Sequence, residues 1–147
     1  MIEALTELKV HAAIEEEIFY PTVRKAIGKE IMNEADEEHH VAKILIAELE
    51  LMDGSESHYD AKFMVLAENV RHHIAEEENE MLPKTRRLKV DFEALAEKMI
   101  RRKERLLADG VPRVGEERMA KASRGRGDSP ARAAKRKAPK VAKRKKS

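Results

Sequence analysis

The chain contains no cysteine and no tryptophan, and only 3% of its 147 residues are aromatic. Without thiols it can form neither disulfide bonds nor thiolate metal sites, so any bound metal must be held by nitrogen and oxygen atoms. Such ligands favour iron, manganese or zinc over softer ions. The sequence has no apolar run near the roughly 20 residues that a membrane span needs, and no signal-peptide pattern. A soluble cytoplasmic protein without a membrane partner is therefore expected.

Glycine and proline are also scarce, with six and five copies, and charge is distributed unevenly. Residues 119–147 hold twelve Lys/Arg and one Asp, a net charge of +11, whereas the first 118 residues have a net charge of −9. An acidic body with a basic tail calls for two separate explanations. We expect a helical domain over residues 1–110. The Lys/Arg/Ala-rich remainder, residues 111–147, is expected to be disordered because it has too few apolar residues to form a core.

Apolar residues recur every three or four positions in four segments, which predicts four helices. Pro21 should kink the first helix or begin its looser end, and Gly28 should end the helix. Ser57 is expected to cap the third helix, and Pro83 to end it. No segment alternates as a strand would, so the prediction is an all-α, up-and-down bundle of three core helices plus a C-terminal helix. The predicted helices are residues 1–28, 30–52, 57–83 and 91–108.

Residues 11–21 and 73–83 share one pattern. Each begins with a histidine, has glutamates four and five positions later, then an apolar pair, and ends with a proline ten positions after the histidine. Positions i and i+4 lie on one face of a helix, so the histidine and the first glutamate can reach a common point. Imidazole and carboxylate groups from facing helices build di-iron sites in bundles, where a carboxylate can bridge both metals. The side chains concerned are His11, Glu15, His73 and Glu77.

The segment Glu37–His40 adds a third candidate. His39 shares a helical stripe with Ile46 and Leu49 and should point inward, where it would add another imidazole. Glu38 could orient His39 from behind, and Tyr20 could line the site. For a single His-x3-Glu pair, a solvated helix face would be the simpler explanation. Two copies with the same proline offset, together with an inward histidine, favour metal ligation. An alternative register, in which His40 pairs with Asp36 and His72 pairs with Glu76, also remains open.

These three motifs resemble the signature of the hemerythrin HHE cation-binding family. The resemblance covers about residues 3–106, with the motifs in family order. It implies four antiparallel helices around a di-iron centre used for O2 or NO binding, redox sensing or iron handling. Carried over by position, the family's metal ligands are His11, Glu15, His39, His73 and Glu77.

The resemblance begins at the family's second helix. Members ordinarily open with a further helix whose Asp-His pair supplies another ligand, so an N-terminally truncated domain is expected here. A start site placed too late, a truncated domain and assembly with a second chain as a homodimer are the alternatives. Residues 91–108 could also fold back into the resulting gap. With five ligands, a weaker or mononuclear iron site is the alternative to a di-iron centre.

The tail resembles the lysine-rich tails of histone-like proteins. Such a run can neutralise phosphates, and it contains no aromatic residue for base stacking, so any nucleic-acid binding should be nonspecific. The second candidate function is therefore a DNA-associated protein with a degenerate helical scaffold. An enzyme is the weakest option, because the sequence has no nucleophile–base pattern and no phosphate loop. The tail residues concerned are Lys135, Arg136, Lys137, Lys140, Lys143, Arg144, Lys145 and Lys146.

Overall fold

The computed structural model describes residues 2–111, and the side chains of residues 3–111. All regular structure in this range is helical, which confirms the all-α prediction. The expected tail and its basic residues lie outside the described residues. Within the described part, no helix is long and apolar enough to span a membrane. The elements in chain order are α1 (Ile2–Ile14), π1 (Glu15–Phe19), α2 (Tyr20–Ile27), α3 (Lys29–Leu51), α4 (Tyr59–Glu76), π2 (Glu77–Met81), α5 (Leu82–Thr85) and α6 (Phe92–Asp109).

The helix boundaries follow the local chemistry of the sequence at Gly28 and at Asp91, but not at Ser57. Gly28 separates α2 from α3 with a φ of 104°, a conformation that suits glycine. The Asp91 carboxylate accepts a hydrogen bond from the Ala94 backbone N–H and caps α6. The prediction that Ser57 caps α4 was wrong. The residue before α4 is His58, with a φ of 73°, and the Ser57 hydroxyl contacts the His58 ring instead of a backbone N–H.

Pro83 does not end its helix as predicted, and helical structure also continues past Pro21. Each proline follows a π turn, in which a backbone N–H bonds to the carbonyl five residues earlier. Tyr20 donates in this way to Glu15, and Leu82 donates to Glu77. A proline ring clashes with the carbonyl four residues before it and has no N–H to donate. The widened turn absorbs this conflict, so the helix continues through Pro83 into α5.

Two apolar clusters form the core of the bundle and lie on either side of a polar centre. One joins α2, the start of α3 and π2, and the other joins α1, the end of α3 and α4. His39 lies between them on α3 and is buried. The stability of the bundle therefore comes from its two ends, and the centre is left to polar side chains. The first cluster contains Tyr20, Val23, Ile27, Met32, Ala35 and Met81, and the second contains Leu5, Ile46, Leu49, Tyr59 and Leu66.

Helix α6 packs against α1 and π1. Its buried Leu106 meets Val10 and Ile14, and Arg102 forms a two-armed ion pair with Glu17, at 2.7 and 3.0 Å. The chain after residue 91 thus folds back on the bundle. However, it contributes no side chain to the groove between α1, α3 and α4.

This packing gives a matched pair of substitutions in α6. Leu106 is 2% exposed, whereas its neighbour Leu107 is 46% exposed. Leu106→Ala should lower the free energy of unfolding by about 3 kcal/mol, because it leaves a cavity between α6 and α1. Leu107→Ala should change it by less than about 0.5 kcal/mol. Urea denaturation followed by circular dichroism measures both, and equal effects of the two variants would contradict this placement of α6.

Candidate metal centre

The structure brings all five predicted ligands to the polar centre of the bundle. Their donor atoms fall into two groups, within each of which all atoms lie within 4.8 Å of one another. One group is Glu15, His39 and His73, and the other is His11, Glu15 and Glu77. Glu15 therefore belongs to both groups.

The Glu15 carboxylate divides its two oxygens between the groups. Its Oε1 lies 2.8 Å from His11 Nε2, and its Oε2 lies 3.4 Å from His39 Nε2. The side chain is buried, and Oε2 has no hydrogen-bond partner among the described residues. A buried carboxylate oxygen without a partner is costly for a folded protein. A cation beside Oε2 would remove that cost, so the residues present fit a metal ion.

The rings of His39 and His73 face each other, with their Nε2 atoms 2.9 Å apart. Each ring holds its other nitrogen against a glutamate. His39 Nδ1 lies 3.0 Å from Glu16, and His73 Nδ1 lies 2.7 Å from Glu38. Metal-binding histidines usually donate their second N–H to a carboxylate in this way, which fixes the ring and leaves the first nitrogen free for the ion.

The prediction that Glu38 orients His39 was wrong, although Glu38 does contact another of the predicted ligands, His73. Glu38 orients His73 on the neighbouring helix, and Glu16 takes the role expected of it at His39. Adjacent residues on a helix point about 100° apart, so Glu38 cannot easily turn back to His39. The sequence contained no signal that singled out Glu16, which was one of three consecutive acids.

The two buried carboxylates have opposite pKa shifts. Burial penalises the charge of Glu15, yet the hydrogen bond from His11 and the charge of His39, 3.4 Å from Oε2, outweigh that penalty and lower its pKa to about 2. Burial and the nearby charge of Glu15 raise the pKa of Glu77 to about 7. Glu15 is therefore the permanently charged member of the pair at neutral pH.

The two buried imidazoles, His39 and His73, also have opposite pKa shifts. Burial disfavours the charged ring of His39, but interactions of the ring with the carboxylates of Glu15 and Glu16 outweigh this and raise its pKa to about 9. Burial lowers the pKa of His73. Near neutral pH, and without a bound ion, His39 is thus an imidazolium and His73 is neutral. One proton on the line between their Nε2 atoms explains the short contact.

Tyr20 lies at the middle of the site. Its hydroxyl donates to Glu77 at 3.2 Å and lies 3.2 Å from His39 Nε2 and 3.1 Å from His73 Nε2. In an α-helix, residue i+5 points about 140° away from residue i. The π turn instead places Tyr20 over Glu15, to whose carbonyl it is hydrogen-bonded. The proline six residues after each ligand glutamate was the signal that could have predicted this inward turn.

Solvent can approach the site from two sides. A groove of about 440 Å³ between α1, α3 and α4 reaches His11, His39 and His73. The His11 side chain is 57% exposed at this edge, and its pKa is raised by the hydrogen bond to Glu15. A second pocket, of about 280 Å³, lies against Glu15 and Glu77. It is otherwise lined by the apolar side chains Phe19, Leu82, Phe92, Leu95, Ala96 and Met99.

Comparison with known proteins agrees with this geometry. The Hemerythrin HHE cation binding domain family matches the chain over residues 1–85, from α1 to α5. The match includes all five predicted ligands but stops before α6, earlier than the sequence resemblance suggested. No curated protein and no solved structure matches the chain. The chain belongs to the hemerythrin HHE cation-binding domain family.

Proposed function

We propose that this protein binds two iron ions at the centre of the bundle, with Glu15 as the bridging carboxylate. His39 and His73 would hold one ion, and His11 and Glu77 the other. The observation that carries the proposal is the division of the Glu15 oxygens between two histidines, at 2.8 and 3.4 Å. Iron is favoured because the chain offers nitrogen and oxygen ligands and no thiolate.

A di-iron centre of this kind would supply reversible redox chemistry and the binding of O2 or NO. The protein's own residues prepare the site for it. Glu16 and Glu38 fix the two buried imidazoles. Burial and the charges of Glu15 and Glu77 raise the pKa of Tyr20, so the phenol stays protonated and can donate a hydrogen bond.

The pocket beside Glu15 and Glu77 supports a small, uncharged ligand. Its remaining lining is apolar, and it is partly closed by α6. Such walls favour small apolar molecules, such as diatomic gases, over ions. We therefore infer sensing or carriage of O2 or NO, or iron handling, as the role of the centre. The nucleic-acid alternative rests only on the charge of the tail, which lies outside the described residues.

Metal content tests the proposal most directly. Protein purified anaerobically from iron-supplemented cells should contain about two irons per chain by elemental analysis. His73→Ala should lose most of that iron, because the ring is buried at the site. His40→Ala is the matched control, since it removes an exposed histidine of α3, and it should keep the iron. A folded wild-type protein without metal, or equal metal in both variants, would sink the di-iron proposal.

The carboxylates behind the histidines give a second test. Glu38→Gln and Glu16→Gln should each weaken metal binding by about 10- to 100-fold, because a neutral amide oxygen is a weaker acceptor for the ring N–H than a carboxylate. Glu37→Gln changes an exposed neighbour of Glu38 and should leave the affinity unchanged. Competition with a chelator measures all three. If the three variants bind the metal with equal affinity, the contacts of Glu16 and Glu38 with the Nδ1 atoms of the histidines do not contribute to that affinity.

The pKa values predict proton release on metal binding. At pH 7 the ring of His39, with a pKa of about 9, is charged, and Glu77, with a pKa of about 7, is about half protonated. A metal ion requires both groups to be deprotonated, so affinity should rise with pH up to about 9 and then level off. Calorimetric titrations in buffers of different ionisation enthalpy count the protons released. Uptake of protons, or an affinity that does not change with pH, would contradict these assignments.

A further inference from the structure

A second group of metal-ligating side chains lies outside the proposed di-iron centre, on the outer side of the seam between α3 and α4. Its members are Glu34, His72 and Glu76, whose donor atoms lie within 4.8 Å of one another. His72 Nε2 is 3.2 Å from Glu76 and 3.5 Å from Glu38. The three residues of the group contribute nothing to the inner centre, and nothing so far explains why they converge.

The pair His72 and Glu76 has the same four-residue spacing as the ligand pair His73 and Glu77 of the inner centre. His72 and Glu76 are four residues apart on α4, one position before His73 and Glu77. A shift of one residue turns the pair by about 100° around the helix, from the interior to the surface. The side chain of His72 is accordingly 63% exposed, against 7% for His73. Glu34 faces this pair from one turn before Glu38 on α3.

The charges of this surface group are not balanced by basic side chains. In the part of the chain that the structure describes, neither lysine nor arginine pairs with Glu34, Glu38 or Glu76. Other acids of the same helices are paired, since Arg24 binds Asp36 and Lys62 binds Glu48. Repulsion between Glu34 and Glu76 opposes their convergence, and the one imidazole between them, that of His72, offsets it only when protonated.

We propose that Glu34, His72 and Glu76 form a second, solvent-accessible site for a divalent cation such as Zn²⁺, Mn²⁺ or Fe²⁺. One imidazole and two carboxylates, with water in the remaining positions, are suitable ligands for these ions. The site shares a neighbour with the inner centre, because one Glu38 oxygen lies near His72 and the other binds His73. Its exposed ligands must be ordered on binding, so the surface cation should exchange faster than the inner ones.

The test is a calorimetric Zn²⁺ titration of the full-length, metal-free protein and five variants, one of which, His39→Ala, removes a ligand of the inner centre. The wild type should bind one weak cation per chain beyond the inner ions. His72→Ala, Glu76→Gln and Glu34→Gln should each lose that weak cation and keep the inner ones. His40→Ala removes another exposed histidine and should keep every cation. Circular dichroism checks that each variant is folded, which the surface position of the substitutions favours.

The outcomes separate this site from the di-iron proposal. If His72→Ala binds as many cations as the wild type, the surface site does not exist. If the wild type binds only a cation that disappears in His72→Ala and persists in His39→Ala, the surface site stands and the inner proposal fails. Metal-free, folded wild-type protein that binds no Zn²⁺ overturns both.

Discussion

The architecture depends on one buried charge, the carboxylate of Glu15. A carboxylate removed from water is stable only when cationic partners compensate it, and here His11 and His39 provide that compensation. The cost of burying this group is offset by the two apolar clusters on either side, which hold the helices together. The bundle therefore has stabilising ends and a functional middle. A metal ion would replace the proton that now makes His39 a suitable partner for Glu15.

The π turns solve a local conflict that the ligand pattern creates. A histidine and a glutamate four residues apart require helical backbone, while the proline ten residues after the histidine removes a hydrogen bond from that backbone. Widening the turn to five-residue spacing satisfies both demands, in the same place in both copies of the repeat. Its consequence differs between the copies. The first turn directs the Tyr20 hydroxyl into the site, whereas the equivalent Leu82 lines the apolar pocket beside it.

Periodicity was enough to predict the helices and the five converging side chains, because both depend on local spacing along the chain. It could not predict which carboxylate supports which imidazole. Glu38 contacts a ring on another helix, so its partner depends on how α3 and α4 pack. Tyr20 was recognised only as a residue that could line the site, because the period of an α-helix would direct it elsewhere. The packing of α6 against α1 and π1, rather than into the groove, likewise depends on nonlocal contacts such as that between Leu106 and Val10.

The seam between α3 and α4 shows that position, more than residue type, decides what a His-x3-Glu pair can do. His73 and Glu77 lie in the interior, where burial shifts their protonation and where an unsatisfied carboxylate oxygen is costly. His72 and Glu76 carry the same chemistry 100° around the helix, where water can satisfy them and an ion can leave. If the proposed ions bind, burial would favour tight retention at the first pair, and exposure would favour exchange at the second. Glu38, with one oxygen toward each histidine, links the two pairs.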